Sequence, residues 1–175
     1  MTRIKIAKVI MTSVLLIGSV LSFVLDWSAN HLLNPLWHPH ARFHGALLLF
    51  FLAGVSLTGV WLLWRDSREP AVAVKVAALL SISYWTPLFY VPYVLPSSSW
   101  WAGRPGAEPR IHGAIVYPNL VVAGLFLVIT VVALWLSRGV AAKGEGSRIP
   151  AADGGDFAGS TKAFTQGQTA RGNGL

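Results

Sequence analysis

The sequence predicts an all-α membrane protein, a four-transmembrane-helix bundle followed by a disordered C-terminal tail. Its residues are 54% hydrophobic and only 12% charged, and its mean hydropathy is +0.56. This composition is too apolar for an ordinary soluble domain. Four apolar runs are each long enough for a helix to cross a hydrocarbon core about 30 Å thick. None of them alternates with period two, so a lipid-facing β-barrel is not expected.

The predicted transmembrane domain covers residues 1–136. Backbone N–H and C=O groups inside lipid must be satisfied within their own segment, so each apolar run is expected to form a helix. We interpret the first run as a retained helix and not as a signal peptide, because the bulky Trp27 stands where a cleavage site requires a small residue. The predicted spans are residues 9–25, 45–64, 76–95 and 113–136.

Residues 137–175 differ in composition from the rest of the chain. More than half of the 17 glycines lie there, with few large apolar side chains. Such a segment cannot bury enough surface to offset its chain entropy, so a disordered tail is predicted.

The distribution of lysine and arginine predicts that both termini are cytoplasmic, because basic residues concentrate on cytoplasmic flanks. We therefore expect a multi-pass protein of the cell membrane. The excess of basic over acidic residues, 14 against 7, fits these flanks better than nucleic-acid binding. Basic residues near the predicted cytoplasmic ends of the spans are Arg3, Lys5, Lys8, Arg65, Arg68, Lys75, Arg138, Lys143 and Arg148, against Arg42, Arg104 and Arg110 on the other side.

All five histidines lie in or beside the first and third loops, so they are expected at the non-cytoplasmic face. The segments R-F-H-G-A at 42–46 and R-I-H-G-A at 110–114 are similar, and each is predicted to open a span. This similarity suggests an internal repeat of two helical hairpins. Convergent anchoring at the membrane interface is the alternative explanation.

The histidine cluster is a candidate catalytic or metal site. Pro39 suits the first turn of a helix, so His40 and His44 are expected one turn apart on one face. Two imidazoles so placed are a recurrent pair of metal ligands, and His112 is the predicted third. Without metal, the same groups are general acid–base candidates. Asp26 and Glu108 are the acids expected to complete the site or orient an imidazole. Interfacial anchoring of the histidines is again the alternative.

Polar residues near this face are candidate substrate-binding groups. Arg42 and Arg110 are expected to hold a carboxylate or a phosphate. Tyr117 and Asn119 lie close to Pro118, which is predicted to interrupt the fourth span, and Asn119 is expected on the face of His112. Prolines in the third span are expected to bend that helix and open a cavity below the loops.

The tract N-P-L-W-H-P-H-A-R-F-H, residues 34–44, resembles a family of small four-span integral membrane proteins of unassigned function with an N-P-x-W-x-P-H-A-R-F-H motif. The resemblance implies a shared site on the outer face, which adds Asn34 to the candidate substrate-binding residues. It argues against His38 as a ligand, because the family is expected to carry proline there. The positions that fit are Asp26, Asn34, Pro35, Trp37, His40, Arg42, Phe43 and His44.

Three classes of function follow from these features. The first is a membrane-embedded enzyme acting on a small lipophilic substrate such as an isoprenoid, a quinone or an acyl lipid. The second is an electron-transfer subunit with haem between His44 and His112. The third is a non-catalytic module for transport, assembly or partner binding. The chain has no G-x-S-x-G, P-loop or H-E-x-x-H motif, so all three classes stay open, as does the oligomeric state.

Overall fold

The computed structural model describes residues 1–103 and 106–145, and for residues 139–145 it describes the backbone alone. Five α-helices and one β-hairpin form in these residues. The elements are α1 (Arg3–Asp26), α2 (Pro39–Trp64), α3 (Pro70–Trp85), α4 (Pro87–Val94), β1 (Arg110–Ile111), β2 (Ala114–Ile115) and α5 (Pro118–Glu145).

The predicted four-span architecture is confirmed. Four helical segments are long and apolar enough to cross a membrane, with α3 and α4 together making the third. These segments are Arg3–Asp26, Pro39–Trp64, Pro70–Val94 and Pro118–Arg138. The chain is therefore a multi-pass membrane protein whose outer helix faces contact the lipid bilayer.

Among the described residues, every helix after the first begins with proline. Pro39, Pro70, Pro87 and Pro118 each stand at the first position of a helix, where the missing N–H is not needed and the fixed φ already suits the helix. For this reason α2 and α3 begin about six residues before the apolar runs from which their spans were predicted. The third span is interrupted at Thr86, between α3 and α4, as its prolines predicted.

The C-terminal boundary differs from the prediction. Helix α5 continues to Glu145, nine residues beyond the predicted end of the fourth span at residue 136. The rest of the predicted tail lies outside the described residues.

The helices pack with α1 and α3 in the middle of the bundle. Helices α2 and α5 lie on opposite sides, each against both α1 and α3, and in the described part of the chain they do not contact each other. Small residues allow the close approach at the centre. A Cβ atom on Gly18 of α1 would lie only 3.0 Å from the Trp85 ring of α3, and Ala77 and Ala78 are fully buried.

Hydroxyl groups form interhelical hydrogen bonds inside the apolar core. The Ser81 and Thr130 hydroxyls lie 2.9 Å apart between α3 and α5, and Thr130 donates to the Phe126 carbonyl. Ser81 is therefore the donor to Thr130. The Tyr84 hydroxyl of α3 donates to Ser22 of α1.

The entry to the fourth span differs from the prediction. Residues 110–115 form a two-stranded antiparallel hairpin, and α5 begins only at Pro118. His112 and Gly113 occupy the turn with φ values of 49° and 84°, as a two-residue type I′ turn requires. Segment 42–46 is helical while segment 110–114 is a hairpin, so their predicted structural equivalence is wrong. The internal repeat itself stays a prediction.

Thr130→Val should lower the free energy of unfolding by about 1 kcal/mol, because it leaves the buried Ser81 hydroxyl without a partner. The double variant Ser81→Ala/Thr130→Val should cost less than the sum of its two single substitutions. Reversible unfolding in bicelles measures both effects.

The matched control is Thr58→Val, which makes the same change at an exposed residue that bonds only within its own helix. It should be nearly neutral. Equal costs for Thr58→Val and Thr130→Val would contradict a specific role for the Ser81–Thr130 hydrogen bond.

Candidate functional site

The loop of residues 27–38 folds back over the first two turns of α2. Its buried Leu32 side chain lies where Gly45 has no side chain, and a Cβ atom on Gly45 would come within 2.8 Å of Leu32 Cδ2. The Arg42 Nε–H donates to the Leu32 carbonyl at 2.6 Å. Arg42 and Gly45, both in the R-F-H-G-A segment at 42–46, therefore hold this loop on α2.

Asn34 forms a turn in this loop. Its Oδ1 accepts from the Leu36 N–H at 2.9 Å, which is an Asx turn. The backbone carbonyl of Asn34 accepts from the Trp37 N–H. Through these two hydrogen bonds Asn34 shapes the loop.

An open apolar groove of about 350 Å³ lies between this loop and α2. Arg42 is the one charged residue among the described side chains that line it. The lining residues are Trp27, Leu32, Leu33, Pro39, Arg42, Phe43 and Ala46.

Arg42 keeps most of its donor capacity in the groove. A guanidinium carries five N–H donors, and the Leu32 carbonyl takes only the one on Nε. The nearest acid in sequence, Asp26, pairs instead with His31, at 3.9 Å between Oδ1 and Nε2. In the described part of the chain, Arg42 has no carboxylate partner.

Aromatic side chains continue the groove along the lipid-facing surface. Pro39, Phe43, Ala46 and Phe50 recur at helical spacing and so share one face of α2. The Phe50 ring packs edge-on against Trp27 and Phe23 of α1, with centroids 6.2 and 5.6 Å away. An apolar strip thus descends from Arg42 toward the membrane interior.

His40 and His44 form a pair on the first two turns of α2. Their Nε2 atoms lie 3.0 Å apart, and the rings are nearly perpendicular at 88°. Both side chains are exposed. Phe43, which stacks on His40 and meets His44 edge-on, separates this pair from the groove. The predicted placement of the two histidines on one helix face is confirmed.

His38 caps α2. Its Nδ1 accepts from the His40 N–H at 3.2 Å, which satisfies one of the free donors at the helix start. This role fits the expectation that His38 is not a ligand.

The histidines of the predicted site lie on different elements of the fold. His112 lies exposed in the β1–β2 turn, ahead of α5, while His40 and His44 belong to α2 on the other side of the bundle. Within residues 1–103 and 106–138, no three His, Asp or Glu side chains could hold a metal ion together. The three-histidine metal site and the haem between His44 and His112 therefore stay predictions, which no grouping of the described side chains supports.

The candidate acids are also separated from the histidine pair. Asp26 is engaged with His31, whereas the Glu108 Oε1 accepts from the Gly106 N–H at 3.1 Å in the third loop. This hydrogen bond is the largest cause that lowers the pKa of Glu108, and the nearby Arg110 lowers it further. Arg110 itself donates to the Gly113 carbonyl within the hairpin.

Tyr117 and Asn119 hold the third loop. Asn119 Nδ2 donates to the Trp100 carbonyl, and the Tyr117 ring packs 5.4 Å from the Trp100 ring. The expected alignment of Asn119 with His112 on one helix face is wrong, because α5 begins only at Pro118. These two residues therefore position Trp100 in this structure.

Trp100 satisfies a backbone group that a proline leaves free. Pro92 lies inside α4 and has no N–H to donate to the Leu88 carbonyl four residues earlier. The Trp100 indole Nε1–H donates to that carbonyl at 2.6 Å. The third loop thus completes the hydrogen bonding of the third span.

The groove was not predicted from the sequence, because the candidate site was built on titratable residues. Trp27, Leu33, Phe43 and Ala46 carry no reactive group, so a search for acids and histidines passed over them. The available signal was the apolar spacing along the first turns of α2 around Arg42.

Comparison with family models gives a match over residues 10–148, described as a family of unknown function (DUF6640). Neither the curated proteins nor the solved structures give a match.

Trp100→Phe should destabilise the protein by about 1–2 kcal/mol, because the Leu88 carbonyl loses its donor. Adding Pro92→Ala should recover most of this loss, since an alanine N–H can bond to Leu88 within α4. Thermal unfolding in detergent measures both variants. Trp61→Phe, at a lipid-exposed tryptophan, is the control. If the double variant Trp100→Phe/Pro92→Ala were as unstable as Trp100→Phe alone, the proposed role of the Trp100–Leu88 hydrogen bond would be contradicted.

Glu108 should titrate below the ordinary range of a glutamate, because ionisation is favoured by the Gly106 N–H. Its contribution to loop stability is present above the unfolded-state pKa and is lost as pH falls through the lower folded-state pKa. Carboxyl ¹³C NMR of labelled protein measures this. Arg110→Gln should leave most of the pKa shift in place, and a Glu108 pKa at or above the ordinary value would contradict the Gly106 hydrogen bond.

Proposed function

The chain belongs to this family of unknown function (DUF6640), and we propose that it is a multi-pass membrane protein that binds a lipophilic molecule by its anionic head group. The proposed binding site is the groove between residues 27–38 and the start of α2. The observation that carries the proposal is Arg42, a half-buried cation in an apolar groove with no carboxylate partner in the described residues.

The chemistry of Arg42 favours an anion that presents two oxygen atoms. A guanidinium binds carboxylate and phosphate through parallel N–H···O bonds. The Leu32 carbonyl fixes Nε and thereby limits the rotation of the side chain. The two Nη groups therefore meet a ligand with little further loss of side-chain entropy.

The apolar surroundings favour a ligand with a hydrocarbon part. Three lining side chains, Trp27, Leu33 and Phe43, remain 46%, 47% and 60% exposed. Apolar area of this kind binds apolar ligands at roughly 25 cal/mol per Å² buried. The strip through Phe50 gives a tail a path into the bilayer beside α1 and α2.

The volume of the groove limits how much of a ligand can fit inside it. About 350 Å³ is near the lower end of ligand pockets, which run from about 300 to 1,000 Å³. A head group and the first carbons of a chain fit this space, and the remaining tail would stay in lipid.

A protein that binds such a ligand could act in two ways. It could be an enzyme that acts on the ligand, or a non-catalytic module that only binds it. The enzyme is favoured by the His40–His44 pair, which lies beside the groove with only Phe43 between. Haem-dependent electron transfer is not favoured, because His44 contacts His40 and α2 does not meet α5 in the described residues.

Arg42→Gln should weaken binding of a short-chain phosphatidic acid by about 10–100-fold, since a hydrogen bond to a charged group contributes about 1.5–3 kcal/mol. The control Arg110→Gln removes an equal charge from the exposed hairpin and should bind normally. Isothermal titration in detergent, with phosphatidylcholine of the same chain length as second ligand, measures the effect.

A second pair of variants tests the groove without changing charge. Ala46→Phe should fill it and abolish binding, while Leu47→Phe, at the neighbouring lipid-exposed residue, should bind normally. Two results would contradict the proposal. The first is equal affinity of the unmodified protein for phosphatidic acid and phosphatidylcholine. The second is an equal loss of phosphatidic acid affinity in Arg42→Gln and Arg110→Gln.

A further inference from the structure

The histidine pair on α2 has a geometry that is not needed for the fold. His40 and His44 are both exposed, and their Nε2 atoms meet at 3.0 Å. The helix backbone supports them from below, because Pro39 fixes its first residue and His38 caps it. Two exposed imidazoles are thus held together on a rigid element.

The separation of the two nitrogen atoms matches adjacent ligand positions around one metal ion. Two metal–nitrogen bonds of about 2.0–2.1 Å that meet at 90° place the nitrogens about 2.9 Å apart, and at a tetrahedral angle about 3.3 Å apart. The observed 3.0 Å is closer to the right-angle value. Right angles between nitrogen ligands are typical of tetragonal Cu²⁺ and Ni²⁺ sites.

We propose that His40 and His44 form a two-histidine site for a divalent transition metal ion of the Cu²⁺ or Ni²⁺ type. The metal replaces the hydrogen bond between the rings, and a small rotation of both exposed side chains points their lone pairs at one centre. This site is independent of the lipid groove, from which Phe43 separates it.

The other histidines do not join this pair in the structure. His38 Nδ1 accepts from the His40 backbone, and His31 pairs with Asp26. His112 lies in the hairpin that precedes α5. Since no group of three His, Cys, Asp or Glu side chains in the described residues could hold a metal ion, water would complete the coordination in the proposed site.

Titration of tag-free, metal-free protein in detergent with Cu²⁺ tests this site. We expect one equivalent to bind, with an electron paramagnetic resonance spectrum showing two imidazole nitrogens. His40→Ala or His44→Ala should weaken binding about 100-fold, because a chelate becomes a single ligand. Both side chains are exposed, so circular dichroism should show unchanged helix content.

His31→Ala and His112→Ala are the matched controls and should keep the affinity of the unmodified protein. Wild-type affinity in His44→Ala, or absence of a bound equivalent in the unmodified protein, would overturn the two-histidine site. A loss in His112→Ala equal to that in His44→Ala would overturn it as well, because the site would then require three histidines. The His44→Ala variant should still bind lipid in the groove with unchanged affinity. Measuring lipid binding in this variant therefore distinguishes a failure of the metal site from a failure of the lipid site.

Discussion

The hydrocarbon core offers no water to backbone N–H and C=O groups, and this constraint shapes every part of the bundle. Each span is helical, and helices begin where a missing N–H does no harm, at Pro39, Pro70 and Pro118. Pro92, the one proline inside a helix among the described residues, leaves the Leu88 carbonyl free, and the indole of Trp100 supplies the donor. The third loop is therefore fixed to the bundle by a backbone requirement of the third span.

The packing order of the helices determines which side chains can cooperate. Because α1 and α3 fill the centre through glycine and alanine contacts, α2 and α5 are kept on opposite sides in the described structure. One mouth of the bundle thus carries two separate clusters. One consists of Arg42, His40 and His44 on α2, and the other surrounds Trp100 and the 110–115 hairpin. The first cluster has polar groups that could bind a ligand, namely the Arg42 Nη groups and the exposed imidazoles. The polar groups of the second cluster are largely hydrogen-bonded to one another.

The sequence predicted the class of fold well because membrane spans depend on average hydropathy over about twenty residues. It also placed His40 and His44 correctly, since helical spacing from Pro39 determines their face. It failed for His112, because the His-Gly pair suits a hairpin turn as well as a helix start, and only the later Pro118 decides between them. The groove was missed because its lining is apolar and depends on how Leu32 meets Gly45.

The most direct test of the anionic-lipid site is an experimental structure of the protein in nanodiscs that contain phosphatidic acid. We expect head-group density within hydrogen-bonding distance of the Arg42 Nη atoms, with a tail running along Phe43 and Phe50. An empty groove with Arg42 turned away from it, and ordered lipid only on other faces of the bundle, would contradict a binding role for this site.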